Sequence, residues 1–299
     1  MKPFAVVTAS DRKFGDFLIE HWLRSLRENV CLDAIEIVVL DYGLTLAQRF
    51  YLEHHGVLLR RGKRDGHVTV IRFRETRDLL IERPYEQICL IDSGDIVFQD
   101  DIASLFERSP GTYRAVCEDY KPILSFFIKN DFFHPEDRQK IANAFVKNRM
   151  INGGFIIAPR VRMLELCDAC LGMIGDKRHF GPDQLVVNYL LHQRGFDELE
   201  RRYNFVVATT AEPIRIEDGL FLDQNGGRIA VVHNAGRNRF LRPIDSFGYG
   251  PGHNVLKKEI YAALRRFYAS RHGLATAQQT VRRSRRELAN LVRRRKNAS

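Results

Sequence analysis

The pattern of apolar and polar positions in the first third of the chain predicts strands that alternate with helices. Four apolar runs have the length of a strand buried on both faces: 4–9, 35–40, 57–59 and 87–91. Apolar residues recur at helical spacing in the three segments between them, 16–26, 45–55 and 72–80. Such an alternation builds βαβ units, so we predict an α/β fold with a mostly parallel sheet flanked by helices.

The pattern is less regular after residue 101. Three further strands are predicted at 112–117, 151–158 and 228–232, and two further helices at 161–173 and 185–193. Residues 119–151 have a mixed composition. They are interpreted either as an acceptor-binding or lid segment or as a helical excursion packed on the sheet.

Three regions follow from this pattern. We predict one α/β domain over residues 1–250, with a regular half at about 1–105 and a less regular half at about 106–250. A helical basic tail is predicted at 251–299. A chain of 299 residues with 44% hydrophobic and 28% charged residues has the composition of a globular protein with a large core.

The sequence indicates a cytoplasmic protein. No apolar run approaches the eighteen residues of a membrane-spanning helix, and the N-terminus lacks the features of a signal peptide. Five scattered cysteines, an odd number, favour a reducing compartment. Cys167 and Cys170 have C-x-x-C spacing but lie in a helical pattern without a second pair, so helix packing is favoured over zinc binding.

The basic charge is concentrated at the C-terminal end. Of the net charge of +10, residues 280–299 contribute +7 and the rest of the chain +3. Residues 254–296 combine an apolar stripe with many arginines, which is typical of a helix on an anionic membrane surface. A solvated helix and a coiled coil that forms a homo-oligomer are the alternatives. Nucleic acid is not expected as a partner, because the arginine-rich part of the tail has no aromatic residues.

Two carboxylates follow the strand at 87–91. Asp92 and Asp95 flank a short turn at the carboxyl end of that strand, where α/β sheets bind their ligands. Two such groups form a hard oxygen site for Mg²⁺ or Mn²⁺, although a surface turn capped by aspartates is the simpler alternative. No G-x-G-x-x-G follows the first strand, which disfavours a dinucleotide enzyme or a Rossmann methyltransferase.

Four separated motifs occur in one order: Asp92-Ser93-Gly94-Asp95, Asn152-Gly153-Gly154, Asp183-Gln184 with Asn188, and His233-Asn234-Ala235-Gly236. Over about residues 4–245 this set resembles the family 8 retaining glycosyltransferases, which have a GT-A fold. The D-x-x-D motif is one residue longer than the spacing usual in that family. Arg239 or Arg242 stands where the family has a lysine before Pro243. The chain is therefore interpreted as a divergent member, whose sugar cannot be inferred.

The resemblance implies that residues 1–250 are the catalytic domain, with a nucleotide-binding half at about 1–105 and an acceptor and sugar half at about 106–250. It also implies roles for individual residues. Asp92, Asp95 and His233 would bind Mn²⁺ or Mg²⁺. Gln184 would lie at the anomeric face and act in catalysis with Asp183. The implied donor-binding residues are Thr8, Ala9, Asp11, Arg77, Asp92, Ser93, Asn152, Gly153, Asp183, Gly236 and Arg239.

The function that the resemblance implies is transfer of a hexose from a nucleotide sugar, expected to be a UDP-sugar, to another molecule. The expected acceptor is a glycan, lipid-linked or envelope molecule, and the expected stereochemistry is retention. A peripheral position at the inner face of the membrane would suit such an acceptor. The alternative is a GT-A-like protein that binds a nucleotide sugar without catalysis, which the altered D-x-x-D spacing favours.

Overall fold

A computed structural model describes residues 2–119, 132–145, 148–210, 212–235 and 242–254. Within these ranges the strands are β1 (Phe4–Ser10), β2 (Ile35–Asp41), β3 (Leu58–Arg61), β4 (Gln87–Ile91), β5 (Ile96–Phe98), β6 (Tyr113–Cys117), β7 (Ile151–Pro159), β8 (Phe196–Glu198), β9 (Phe205–Val206), β10 (Arg215–Glu217), β11 (Leu220–Leu222) and β12 (Val231–His233).

Helices cover the main sheet. α1 comprises three consecutive segments, Gly15–Phe17, a π-helical Leu18–Leu23 and Arg24–Asn29. The others in the described ranges are α2 (Leu46–His54), α3 (Val68–Glu82), α4 (Pro135–Ala144), α5 (Arg160–Met173) and α6 (Pro182–Arg194). Short 3-10 helices occur at Ala103–Phe106 and Arg201–Tyr203.

Seven of the described strands form the central sheet, in the order β3-β2-β1-β4-β7-β6-β8. β3, β2, β1 and β4 are parallel neighbours, and β6 is parallel to β8. Within this sheet as described, β7 alone is antiparallel to its neighbours, β4 and β6. The predicted α/β fold with a mostly parallel sheet flanked by helices is confirmed.

The core explains why the strand sequences are nearly all apolar. Every residue of β4 is buried, because helices cover both faces of the sheet. One apolar cluster joins the sheet to α3, α5 and α6, and a second joins it to α1 and α2. The cluster with α3, α5 and α6 includes Cys167 and Cys170 as free, buried thiols, consistent with their predicted packing role.

Two smaller groups of strands adjoin this sheet. β5, β12 and β9 form a three-stranded sheet, and β10 pairs with β11. β5 and β12 are antiparallel, with Ile96 opposite His233. The backbone N–H of Asn234 also donates to the carbonyl of Asp95 at 2.8 Å. This pairing fixes the D-x-x-D turn beside the end of β12.

Part of the predicted excursion at 119–151 belongs to the core. Phe132 and Phe133 are buried, and α4 follows them. Residues 120–131 and the tail from residue 255 onward, with the membrane and coiled-coil interpretations made for it, lie outside the described residues. In the described part of the chain, no helix is both long and apolar enough to cross a membrane.

Candidate metal and donor site

A cavity of about 830 Å³ opens where the carboxyl ends of β1 and β4 meet the amino ends of α3 and α6. Ligands of α/β proteins bind at this edge of the sheet. Eight residues predicted for the site line the cavity: Ala9, Asp11, Asp92, Ser93, Asp95, Asn152, Gln184 and His233. The structure therefore gathers most of the predicted set, from distant parts of the sequence, around one space.

Three side chains at the floor of this cavity form a group that fits a metal ion. Ligand atoms of Asp92, Asp95 and His233 lie within 4.8 Å of one another. His233 Nε2 is 3.4 Å from Asp95 Oδ1 and 4.0 Å from Asp92 Oδ2. Nε2 is buried and has no hydrogen-bond partner among the described residues. Two carboxylates and an imidazole form a donor set that suits Mn²⁺.

The turn between the two aspartates accommodates the longer D-x-x-D spacing. Asp92 is tied to β7, because its N–H donates to the Gly154 carbonyl at 2.9 Å. Ser93 Oγ donates to the Ala9 carbonyl at 2.9 Å. Gly94 lies against the Phe14 ring, so closely that a Cβ there would be 2.7 Å from it. These contacts hold the turn so that both carboxylates reach the same point.

A buried chain of hydrogen bonds orients the His233 ring. Its Nδ1 lies 3.0 Å from Asn204 Oδ1, an atom that can only accept, so Nδ1 carries a proton in both charge states of the ring. In the neutral ring the lone pair is therefore on Nε2. Asn204 Nδ2 donates to Asn152 Oδ1 at 3.1 Å, and Asn152 Nδ2 donates to Glu118 Oε1 at 2.6 Å. All four side chains are buried. The chain holds the tautomer that a metal ligand requires.

The charges of the group favour ionised carboxylates. Burial raises the pKa of Asp95, but His233 and Arg242 outweigh it and hold that pKa below its usual value. Arg242 Nη2 lies 3.1 Å from Asp95 Oδ2. Burial lowers the pKa of His233, and the neighbouring Asp95 and Asp92 more than compensate, so this pKa is raised. The carboxylates thus carry the negative charge that a divalent cation would balance.

The pKa of Glu118 is raised, whereas that of Asp95 is lowered, and this shift predicts how stability depends on pH. Burial raises its pKa to about 7. The folded protein therefore keeps this proton where the unfolded chain, at its ordinary pKa of about 4.5, has lost it, and stability falls as pH rises from about 4.5 through 7. Glu118→Gln keeps an acceptor for Asn152 and removes the ionisation. We expect the variant to be more stable than the native protein by about 1–3 kcal/mol at pH 8 and nearly equal below pH 4.5.

Urea unfolding in excess chelator measures this difference, because a bound cation would otherwise add its own stabilisation. The comparison of the two proteins at each pH removes contributions that they share. A constant difference at both pH values would contradict the assignment of the titration to Glu118.

A second buried group lies behind Asp92. Arg72 of α3 is 3% exposed. It donates to Asp92 Oδ1 at 2.5 Å and to the Gly153 carbonyl at 3.2 Å, and it lies 3.8 Å from Asp183 Oδ2. Burial raises the pKa of Asp183 to about 6, although Arg72 opposes the rise. Arg72 thus fixes one oxygen of Asp92 and leaves the other facing His233.

Arg77, predicted to contact the donor, is on another face of α3. It pairs with Asp168 of α5 at 2.6 Å, and the two side chains are 41% and 60% exposed. It does not line the cavity. Five residues correspond to a rotation of about 140° around a helix, so Arg72 and Arg77 cannot face the same way. We therefore correct the placement: of these two arginines of α3, Arg72 lines the cavity and Arg77 does not.

The D-Q-x-x-x-N sequence of α6 fastens the helix to β7. Gln184 Oε1 accepts from the Gly153 N–H, and Gln184 Nε2 donates to the Ile151 carbonyl, both at 3.0 Å. One turn later, Asn188 Oδ1 accepts from the Ile151 N–H, and Asn188 Nδ2 donates to the Ile151 carbonyl. The helix begins with Pro182 after Gly181, whose φ of 106° favours glycine. Gln184 therefore lines the cavity with both its polar atoms already bonded to the strand.

Thr8, Asp183 and Gly153 lie behind the cavity, two further predicted residues lie outside the described ranges, and Asp11 lines the cavity. Thr8 is fully buried, and Asp183 lies beneath Arg72 and accepts from Thr69 Oγ1 at 3.2 Å. Gly153 contributes backbone contacts to Arg72 and Gln184. Gly236 and Arg239 are not among the described residues. Asp11 faces the cavity and pairs with Arg64 at 2.9 Å.

Three residues of the site had no counterpart in the sequence prediction: Arg72, Glu118 and Asn204. Arg72 lies in a predicted helix, but nothing in the periodicity distinguishes it from Arg77. Glu118 directly follows β6, so a polar residue at a strand end was an available signal. Asn204 follows a short 3-10 helix and precedes β9, where no pattern marks it.

Comparison with known proteins gives the fold. No family model and no curated protein matches the chain. The apo structure of WbbM, a bifunctional glycosyltransferase, is 17% identical with a TM-score of 0.53, over 80% of this chain and 47% of that chain. An active-site mutant of LgtC is 17% identical with a TM-score of 0.50, over 87% of this chain and 94% of that chain.

This likeness confirms the predicted GT-A fold. The chain spans about half the length of the WbbM chain that it matches. A second LgtC structure, described as a galactosyltransferase with donor and acceptor sugar analogues, has a TM-score of 0.48 and is too distant to support an argument. The similarity defines a class, proteins with the glycosyltransferase GT-A fold.

Proposed function

We propose that the chain is a metal-dependent glycosyltransferase that moves a hexose from a nucleotide sugar to an acceptor hydroxyl. The observation that carries the proposal is the Asp92, Asp95 and His233 group at the floor of a cavity at the ligand-binding edge of a GT-A sheet. Membership of family 8, a UDP-sugar donor and retention of configuration are part of the proposal. So is an acceptor of the glycan, lipid-linked or envelope type.

The residues of the cavity suit a nucleotide sugar. Asp92, Asp95 and His233 would hold Mn²⁺ or Mg²⁺, which when bound counters the charge of a diphosphate leaving group. Ala9 and Asp11 lie at the end of β1, where the nucleoside would bind. Arg72 holds Asp92 in position from behind, and Asn204 holds the required tautomer of His233. The chain therefore supplies both the metal ligands and the groups that orient them.

A donor assay tests the proposal. The purified protein is incubated with UDP-glucose, UDP-galactose or UDP-N-acetylglucosamine and Mn²⁺, with glycan and lipid-linked acceptors, and release of nucleoside diphosphate is measured. We expect release to fall at least tenfold in excess chelator and in Asp95→Asn, since both remove the cation that stabilises the leaving group. Asp33→Asn, at an exposed carboxylate far from the cavity residues, is the control. Equal turnover with chelator would rule out the metal-dependent mechanism.

The alternative is a GT-A-like protein that binds nucleotide sugars without catalysis. The observation that favours it is the internal bonding of Gln184 and Asn152, whose amide groups already bond protein atoms. Calorimetry separates the two functions. Metal-dependent binding of the donor without release of nucleoside diphosphate, with any acceptor class, would favour the binding protein.

A further inference from the structure

Two large apolar side chains project from α2 into solvent. Leu46 is 79% exposed and Phe50 is 72% exposed. They are four residues apart in one helix and so lie on the same face, one turn from each other. The Phe50 ring stacks on His54, with centroids 6.0 Å apart. These two neighbours form an exposed apolar patch on one helix face.

Basic residues flank this face at the edge of the sheet where the cavity opens. They come from the turn after β1, from the last residue of β3 and from the turn that follows it, and all are exposed: Arg12, Lys13, Arg61, Lys63 and Arg64. The Arg12 N–H donates to the Gly43 carbonyl at 3.1 Å, and the Gly62 N–H donates to the Asp41 carbonyl at 2.9 Å. Both turns therefore adjoin the segment that leads into α2.

The acidic side chains within these turns are already neutralised. Asp65 pairs with Arg74 and Lys177. Asp11 pairs with Arg64, so this pair has no net charge and the other four basic residues carry the positive charge. Two exposed acidic residues adjoin α2: Glu53, three residues after Phe50, and Asp16 of α1, which accepts a hydrogen bond from Gln48 Nε2. Within the described residues, the four unpaired charges of Arg12, Lys13, Arg61 and Lys63 outnumber them. The surface formed by Leu46, Phe50 and the five basic residues, here called the rim surface, thus combines apolar and positive groups.

We propose that the rim surface docks on a bilayer containing anionic lipids. Insertion of apolar side chains at the boundary of headgroups and acyl chains, together with basic residues at the headgroups, is how peripheral proteins bind such membranes. Leu46 and Phe50 supply the first component, and the two basic turns supply the second. The positive charge of the rim surface argues for an anionic bilayer in preference to a neutral apolar partner.

Docking in this way has a consequence for the substrate. Lys13 and Arg64 belong to the rim surface and also line the cavity. The bilayer would therefore lie beside the cavity mouth, and the acceptor class would be a glycan carried on a membrane lipid. This consequence rests on the proposed transferase function, whereas the docking itself does not.

Vesicle co-sedimentation tests the proposal with the full chain, so that any contribution of residues 255–299 is the same in every variant. Vesicles of phosphatidylcholine with and without phosphatidylglycerol are the probes. We expect Leu46→Gln with Phe50→Gln to lower the partition coefficient about tenfold on the anionic vesicles. The matched control is Ile81→Gln with Val161→Gln, which removes apolar side chains that are 58% and 74% exposed on α3 and α5. This control should bind as the native protein does.

A second pair of substitutions tests whether the basic residues of the rim surface contribute to vesicle binding. Arg61→Gln with Lys63→Gln should weaken binding to the anionic vesicles and change nothing on phosphatidylcholine alone. Thermal unfolding of each variant checks that these exposed changes leave the fold intact.

Three results would overturn the proposal. These are undiminished binding by the Leu46 and Phe50 variant, an equal loss in the control pair, or a concentration-dependent dimer that this variant abolishes without vesicles. The last result would assign the surface to a second copy of the chain. The readout involves no catalysis, so absence of nucleoside diphosphate release would contradict the proposed function and leave vesicle binding to be judged separately.

Discussion

Gly154→Ala is expected to abolish cation binding at the Asp92, Asp95 and His233 group while the sheet stays folded. A Cβ at this position would lie 2.6 Å from His233 Cε1 and 2.9 Å from both Asp92 Oδ2 and Asn152 Oδ1. His233 and Asn152 are buried and hydrogen-bonded, so they cannot move away at low cost. We expect the affinity for Mn²⁺, measured by calorimetry, to fall about 100-fold or more.

The neighbouring glycine provides the control. A Cβ at Gly153 would meet the end of the Gln184 side chain at 3.2 Å, a contact that a small side-chain movement relieves. We expect Gly153→Ala to change the Mn²⁺ affinity only a few-fold. An equal loss in the two variants, with unfolding free energies unchanged, would show that the space at Gly154 does not determine cation binding.

The strands, the helices and the residues at strand ends could be predicted, because each depends on a short stretch of sequence. β1, β2 and β4 follow from short apolar runs, because a strand buried on both faces needs apolar residues throughout. The capping box of Thr45 and Gln48 marks the start of α2. Asp92 and Asp95 were predicted because they directly follow β4, and the sheet edge concentrates ligand sites at strand ends. The motif order then implied His233, which β5–β12 pairing brings beside Asp95.

The parts that depend on tertiary packing were not predictable in the same way. Arg72 and Arg77 have the same chemistry and occur in one predicted helix. Which of them faces the cavity depends on how α3 rotates as it packs against α5, and the sequence pattern does not specify that rotation. Asn204 precedes a two-residue strand, and its role exists only through contacts with Asn152 and His233 from other elements. Buried polar networks of this kind leave no periodic signal.

Arg72→Leu is expected to lower the free energy of unfolding more than Arg77→Leu, the other arginine variant in α3. The change leaves Asp92 and the buried Asp183 without their shared cation, and removing one partner of a buried ion pair typically costs about 3–5 kcal/mol. Arg77→Leu is the matched control, because it breaks an exposed pair with Asp168 and should cost less than about 1 kcal/mol. Urea unfolding at pH 7 in excess chelator measures both, without compensation by a bound cation.

The pH dependence of the Arg72→Leu variant identifies the cause of its loss. The pKa of Asp183 is already about 6 with the guanidinium present, and removal of that cation can only raise it further. Protonation then removes the uncompensated charge, so the difference in unfolding free energy between the native protein and the variant should narrow as pH falls from 7 to 5. If the loss were due to packing of the arginine stem, the difference would stay constant over that range. A loss in Arg77→Leu as large as that in Arg72→Leu would contradict the assignment of Arg72 as the buried cation of the site.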